Sequence, residues 1–410
     1  MTVAGRLAEI ADLGRDAERG GYSRHLFDAS DAPLRAWFGT SAAALGLQVD
    51  EDLDANLWAW WMPQPGAVRQ NAIATGSHLD SVPGGGAFDG PLGVAGAFEA
   101  VAQLQGGGFA PARPIVVCAF AEEEGSRFGL PCLGTRLLTG AADAASALAR
   151  VDAAGVTLAQ AWRESGRDPA QVGPDPERLG RFAAFVELHV EQGRDLEDRG
   201  VPVSTASAII PHGRWRLEIT GEGNHAGTTT MDRRADPVVA FGGAVQAVRE
   251  VAVSRMPASR GTIGKAQIIP GGTNVIASRV VAWMDLRAST DDDVREQHAR
   301  TIERIRAAVQ AEGCTLEVHE ESFSARVDFD DALTARITAA LEPEFGPVPA
   351  IPTGAGHDAG ILSAVLPTAM IFVRNPTGVS HAPGEDARDE DCEAGARALA
   401  ATLRMLAGPA

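Results

Sequence analysis

No run of about eighteen apolar residues occurs in the 410-residue chain, so it offers no candidate for a membrane-spanning helix. Met1 to Arg15 already carries Arg6, Glu9 and Asp12 and lacks a basic stretch followed by an apolar one. No secretory leader is therefore expected, and the expected compartment is the cytoplasm. Cysteine is scarce: Cys118, Cys132, Cys314 and Cys392 are scattered without CxxC spacing, which excludes a zinc knot and a disulfide framework and leaves inert thiols. Positive charge is also short, with 36 Lys and Arg against 54 Asp and Glu, a net charge of −18 and no basic cluster. Nucleic acid is thus not an expected partner. If the substrate is an anion, particular arginines or amides must hold it against the overall field.

What is present is length and apolar content enough for two domains with a real core, 410 residues at 45% hydrophobic. The first two hundred or so residues alternate short apolar runs with helical stretches, the pattern of an α/β domain. Strands are expected at Asn71 to Ser77, Pro114 to Ala121 and Phe182 to Leu188, with a helix from Pro91 to Leu104 opened by proline in its first turn. Each expected strand stops at acids or histidine: His78 and Asp80, Glu122 to Glu124, and His189. Open α/β sheets place their chemistry at such ends.

Past Ile210 the pattern changes. Gly213 to Thr220 alternates, and a helix at Pro237 to Glu250, strands at Gly264 to Ile269 and Val280 to Leu286, a helix at Asp291 to Glu312 and a strand at Leu316 to Glu321 follow. That order describes a split βαβ, ferredoxin-like α+β unit. The expected organisation is a catalytic α/β domain with a mixed central sheet flanked by helices, residues 1–209 and 325–410, interrupted by an inserted domain at 210–324. A strand at Thr368 to Val373 and an alanine-rich helix from Cys392 to Leu406 close the chain. Trp58, Trp60 and Trp61 read as an early strand packed on the core.

The segment GSHLDSVPGGGAFDG, Gly76 to Gly90, sets His78, Asp80 and Asp89 around a glycine-rich loop. Imidazole and carboxylate are ligands for a divalent transition metal, and flexible glycines let the backbone bring Asp89 beside His78. Asp80, two residues on, shares a strand face with His78 and can fix its tautomer. A lone HxD is commonly no more than a polar turn, and a phosphate loop is not indicated, since no GK[ST] follows. AEEEGSRF, Ala121 to Phe128, puts three carboxylates at a strand end, which is costly unless cations compensate. His189 in VELHVEQG and His381 in GVSHAPGED add isolated histidines after apolar runs. Each alone is weak; four such strand ends in one chain point to a metal site.

Together, GSHLDSVPGGGAFDG, EEEGSRF, ELHVEQG, NHAGTTTMDRRAD, GGTNVIASRVVAWMDLR, GAGHDA and FVRNPTGVSHAPGED resemble the hydantoinase/carbamoylase branch of the dinuclear metallo-aminoacylase and carboxypeptidase superfamily. The likeness runs in the family's order from about Gly76 to the C-terminus. It implies two divalent ions per subunit: His78, Asp89 and His189 as ligands with Asp89 bridging, Glu124 and His381 on the second ion, and Glu123 as general base. Zn or Mn is expected, with Co or Ni also suited to such ligands. Glu123 would take a proton from the attacking water and pass it to the departing nitrogen. Glu122 has no assigned role.

The resemblance also implies substrate contacts at Gln192, His225, Asn274, Arg287, Gly356 and His357. Chemistry supports three of them: Arg287 offers a planar fork for a carboxylate, Asn274 a directed amide, and His225 a donor for a developing oxyanion. The inserted domain is expected to close as a lid and to form a homodimer, with His225 able to serve the neighbouring subunit. The expected reaction is hydrolysis of a ureido amide on a small carboxylate, allantoate to ureidoglycine, ammonia and carbon dioxide. N-carbamoyl-L-amino acids or N-carbamoyl-β-alanine are the alternatives. A dipeptidase or aminoacylase, and a metal-free binding protein that kept the fold, are remoter readings.

Overall fold

The structure is a computed structural model describing residues Met1–Ala410. It divides into two compact units, Met1–Ala208 with Asp328–Ala410, and Ile209–Val327. The strands are β1 (Gln48–Glu51), β2 (Leu57–Trp61), β3 (Ala72–His78), β4 (Ile115–Phe120), β5 (Phe182–Val190), β6 (Val203–Ile209), β7 (His212–Thr220), β8 (Asn224–His225), β9 (Arg260–Ile269), β10 (Val275–Ile276), β11 (Arg279–Arg287), β12 (Thr315–Ser324), β13 (Val327–Asp328), β14 (Ala350–Thr353) and β15 (Thr368–Val373). No helix is long and apolar enough to cross a membrane.

The larger unit is built on a nine-stranded mixed sheet in the order β1-β2-β4-β3-β5-β15-β6-β13, with β14 on β6. Its centre, β4-β3-β5-β15, is parallel. Such strands are covered on both faces, and so IVVCAF in β4 and TAMIFV in β15 are continuous apolar runs, buried throughout. The helix Pro91–Gly106 starts with proline, whose fixed φ suits the first turn, and packs with the helix Asp389–Ala407 into the main core. Phe98 lies fully buried there against Phe38 and Trp37. Truncating such a side chain to alanine costs about 3–5 kcal/mol. Trp58 and Trp60 of β2 are also core residues, both stacked on Phe182.

Several expected boundaries move by a few residues; that of β5 bears on the site. β5 does not stop at Leu188 but continues to Val190, because β15 extends the parallel ladder with Phe372 opposite His189 and Val373 opposite Val190. His189 is therefore an in-strand residue whose side-chain direction is set by the pleat.

In the smaller unit the four-stranded sheet and its helices follow the order strand, helix, strand, strand, helix, strand, with the helices at Pro237–Ser254 and Asp291–Ala311, and β8 and β10 form a separate two-stranded pair. Its antiparallel sheet runs β12-β7-β11-β9. The alternation seen in β7 is a one-sided burial: Trp215, Leu217 and Ile219 enter the core with both helices, while Arg214, Arg216 and Glu218 take the other face. Thr290 caps the second helix by accepting the Asp293 N–H, and Asp291 to Asp293 complement the positive end of its dipole.

Candidate metal centre

β3 ends in His78, β5 carries His189, the turn after β4 carries Glu122 to Glu124, and the turns after β3 and β15 bring in Asp89 and His381. Side-chain atoms of these residues form two groups of three, His78–Asp89–His189 and Asp89–Glu124–His381, each tight enough to hold an ion. Asp89 belongs to both. Its Oδ1 lies 3.2 Å from His189 Nε2 and 3.7 Å from His78 Nε2, and its Oδ2 lies 3.4 Å from His381 Nε2. His381 Nε2 is also 3.5 Å from Glu124 Oε2. One carboxylate thus offers one oxygen to each group.

The ring orientations suit metal ligation. His78 Nδ1–H donates to the Asp80 carbonyl at 3.0 Å and His189 Nδ1–H to the Val190 carbonyl at 2.8 Å, so each Nε2 presents a lone pair. Both Nε2 atoms and Glu124 Oε1 are buried without a hydrogen-bond partner. Native interiors leave few such atoms orphaned, and a set of them converging on one carboxylate is what a cation would satisfy. The residues present therefore fit a pair of divalent ions.

Glu123 stands beside the first group, its Oε2 3.7 Å from His78 Nε2. Burial raises its carboxyl well above the usual range, against the pull of His78. Burial, and then the Asp89 charge, lift Glu124 to about 7. His78 is also driven upward, because Glu123, Asp80 and Asp89 outweigh the burial that opposes its charge. His357 goes the other way, well below its ordinary value, through burial and the neighbouring His189, whose ring it meets edge-on at 4.6 Å.

The supporting bonds differ in part from expectation. Asp80 was expected to orient His78 through its carboxylate, but that oxygen is 3.5 Å away and the Asp80 main-chain carbonyl takes the closer bond. The carboxylate is engaged elsewhere, accepting the N–H groups of Glu123 at 3.1 Å and Glu124 at 3.0 Å. Glu122, without a role in the sequence, accepts the N–H groups of Arg127 and Phe128 at 2.8 and 2.9 Å and so braces the turn. Glu187 accepts from Ser77 Oγ and the Ala359 N–H, pinning the Gly356–His357 turn to β5. Cys132 donates its thiol to Glu123 Oε1 at 3.5 Å. Gly90 (φ 85°) could carry no side chain, since a Cβ would stand 2.4 Å from the His78 ring.

Gln192 is half-buried in the same place, its amide donating to Asp89 Oδ2 at 2.9 Å, and Gly356 is exposed beside the buried His357. His225, Asn274 and Arg287 lie in the smaller unit. There β8 pairs with β10, His225 opposite Val275, and the Ala226 N–H bonds to the Asn274 carbonyl, which makes His225 and Asn274 neighbours. His225 Nδ1 accepts the Gly227 N–H at 3.0 Å, leaving Nε2–H as an exposed donor. Arg287 ends β11 with its guanidinium on the Asp285 carboxylate at 2.8 and 3.2 Å.

The chain is similar to known proteins over nearly its whole length. Residues 74–405 match the model of Peptidase family M20/M25/M40. The chain is 35% identical over 406 residues to the N-carbamoyl-L-amino acid amidohydrolase of Geobacillus stearothermophilus, covering 98% of this chain and 97% of that protein. It is 32% identical over 399 residues to the allantoate amidohydrolase of Escherichia coli K12, covering 97% and 96%. Among solved structures, an amidase of the hydantoinase/carbamoylase family from Burkholderia multivorans superposes with a TM-score of 0.88 at 30% identity, covering 100% of this chain and 98% of that one.

Proposed function

The chain belongs to Peptidase family M20/M25/M40, among the hydantoinase/carbamoylase amidases, and from that premise we propose a two-metal amidohydrolase cleaving the ureido C–N bond of a small carboxylate, allantoate first. The observation that carries this reading is the sharing of Asp89 by two ligand groups, with Glu123 beside one of them. His78, Asp89 and His189 would hold one ion, and Asp89, Glu124 and His381 the other. A bound divalent pair, zinc or manganese, supplies polarisation of the ureido carbonyl and a water acidic enough to attack it.

The remaining chemistry belongs to side chains. Glu123 Oε2 takes the proton of the attacking water and delivers it to the nitrogen as the C–N bond breaks, so that ammonia leaves as a neutral molecule. The carbamate left behind loses carbon dioxide and yields the free amine. Asp80 keeps Glu123 and Glu124 in place through their backbone amides. Arg287 and Asn274 are assigned to the substrate carboxylate, and His225 Nε2–H, Gln192, Gly356 and His357 to the ureido group.

The choice of allantoate rests on the likeness of FVRNPTGVSH to allantoate-type members and on the Escherichia coli relative. An N-carbamoyl-L-amino acid is the second reading, favoured by the 35% identity to the Geobacillus enzyme named for that substrate. Ammonia release from allantoate, N-carbamoyl-L-amino acids and N-carbamoyl-β-alanine, measured side by side on Mn- or Zn-loaded protein, decides among them. No release from allantoate removes it as the substrate.

The smaller unit is assigned to homodimer formation. β9 is an edge strand with an exposed outer half, and Val239, Val245 and Val253 are exposed on the adjoining helix. Sedimentation equilibrium at the mass of one 42.7 kDa chain would remove this assignment.

A further inference from the structure

Glu385, four residues after His381, has no part in the reading above, yet it is buried, with 6% of its surface exposed, and bonds to the backbone of Asp89. Its Oε1 accepts two consecutive main-chain N–H groups, those of Phe88 and Asp89, both at 2.9 Å. The approach is close by design of the loop: a Cβ on Gly86 would lie 2.2 Å from that same oxygen. Burying an ionisable carboxyl is costly; two amide bonds to Oε1 offset part of that cost, while Oε2 is buried without a partner.

The arrangement has a counterpart within the site. Asp80 receives the amides of Glu123 and Glu124, one on each oxygen, as Glu385 receives those of Phe88 and Asp89 on Oε1. Two of the three ligand-bearing turns, those of Glu124 and of Asp89, are thereby held at their backbone by an acid from another turn. In the case of Glu385 that acid comes from the turn carrying His381. Two members of the Asp89–Glu124–His381 group are thus fastened to each other through Glu385.

We propose that Glu385 is a positioning residue that fixes the Asp89 backbone, and with it the carboxylate shared by both ligand groups, to the His381 turn. This rests on the two-metal reading and extends it to a residue that touches neither ion nor substrate. Its consequence is for metal retention. With the amides released, Asp89 can rotate away from the position in which each oxygen faces a separate histidine set, and the bound pair loosens. Side chains that orient metal ligands typically carry about a ten- to hundredfold effect on affinity.

The test uses the full chain loaded with Zn²⁺, following zinc release to an excess of chelator, with the thermal midpoint of the metal-free protein as a folding control. Glu385→Ala should release zinc about ten- to a hundredfold faster than wild type. Glu385→Gln, whose amide oxygen still accepts both N–H groups, should stay close to wild type. Gly86→Ala, which pushes the carboxylate off its seat, should speed release as Glu385→Ala does, and the two changes combined should add little beyond either alone. Should Glu385→Ala fail to fold, Glu385→Gln and Gly86→Ala carry the same contrast. Wild-type release rates in Glu385→Ala or Gly86→Ala overturn the proposal while leaving the two-metal reading intact, as does a Glu385→Gln variant as leaky as alanine. A wild-type chain that holds no zinc overturns both.

Discussion

In the larger unit, His78 and His189 are fully buried, and a main-chain carbonyl already occupies the Nδ1 of each ring. In the smaller unit, His225 and Asn274 are exposed and Arg287 rests on a neighbouring carboxylate of its own strand. The difference is one of preparation. Ligands for an ion must stand close to their place before it arrives. His78 and His189 do so on strands, and Asp89 and Glu124 on turns fixed by buried acids, while His381 is half exposed. Groups that meet a substrate can stay hydrated or paired until one comes, and Arg287 exchanges one carboxylate for another.

The largest effect that tests this contrast is removal of metal. Chelation should abolish ammonia release and lower the thermal midpoint, and Mn²⁺ or Zn²⁺ should restore both. A ligand at a hundred times its dissociation constant stabilises by about 2.7 kcal/mol, which sets the scale of the shift in calorimetry. Retention of activity in the chelated protein would break the contrast at its root.

Next comes Glu123→Gln. It keeps the side-chain shape and removes the base, so kcat should fall by about 10²–10⁴-fold while the zinc content per chain is unchanged. A parallel loss of zinc would make Glu123 a ligand instead. Arg287→Lys sharpens the other side of the comparison: loss of a bidentate contact should raise KM about ten- to a hundredfold and leave zinc retention alone.

How far these assignments could be read from the sequence follows the same division. His78, Asp89, Glu124, His189 and His381 each stand beside an apolar run or a glycine-rich turn, and such local signals survive without a fold. The strands were legible for the same reason, since β4 and β15 are unbroken apolar runs. What the sequence did not disclose are bonds to backbone amides across the fold. Asp80 with the amides of Glu123 and Glu124, Glu122 with Arg127 and Phe128, and Glu385 with Asp89 depend on which turns lie side by side, and no periodicity encodes that. The extra turn of ladder that puts His189 inside β5 comes from its partner strand, far along the chain. For Glu385 the one available signal was an acid set among Gly and Pro just after His381.

The smallest expected effect belongs to a buried acid of the larger unit outside the ligand groups. Burial, reinforced by Asp52, lifts the Asp54 carboxyl to about 8. A carboxyl raised in the folded state binds its proton more tightly there than in the unfolded chain, so folding stability falls as pH rises from about 4 to about 8. Asp54→Asn keeps an oxygen to accept the Gly173 N–H and removes the charge. Urea unfolding should find the variant close to wild type near pH 4 and at least about 1 kcal/mol more stable at pH 9. Equal stability at both pH values would deny that this acid is strained by burial, and would leave the ligand carboxylates as the costly acids of the unit.

The most direct measurement is an anomalous difference map from crystals of the Mn²⁺-loaded chain. Two peaks, one at each oxygen of Asp89, the first within reach of His78 and His189 and the second within reach of Glu124 and His381, are the expected result. A single peak, or density away from Asp89, would contradict the shared-carboxylate centre.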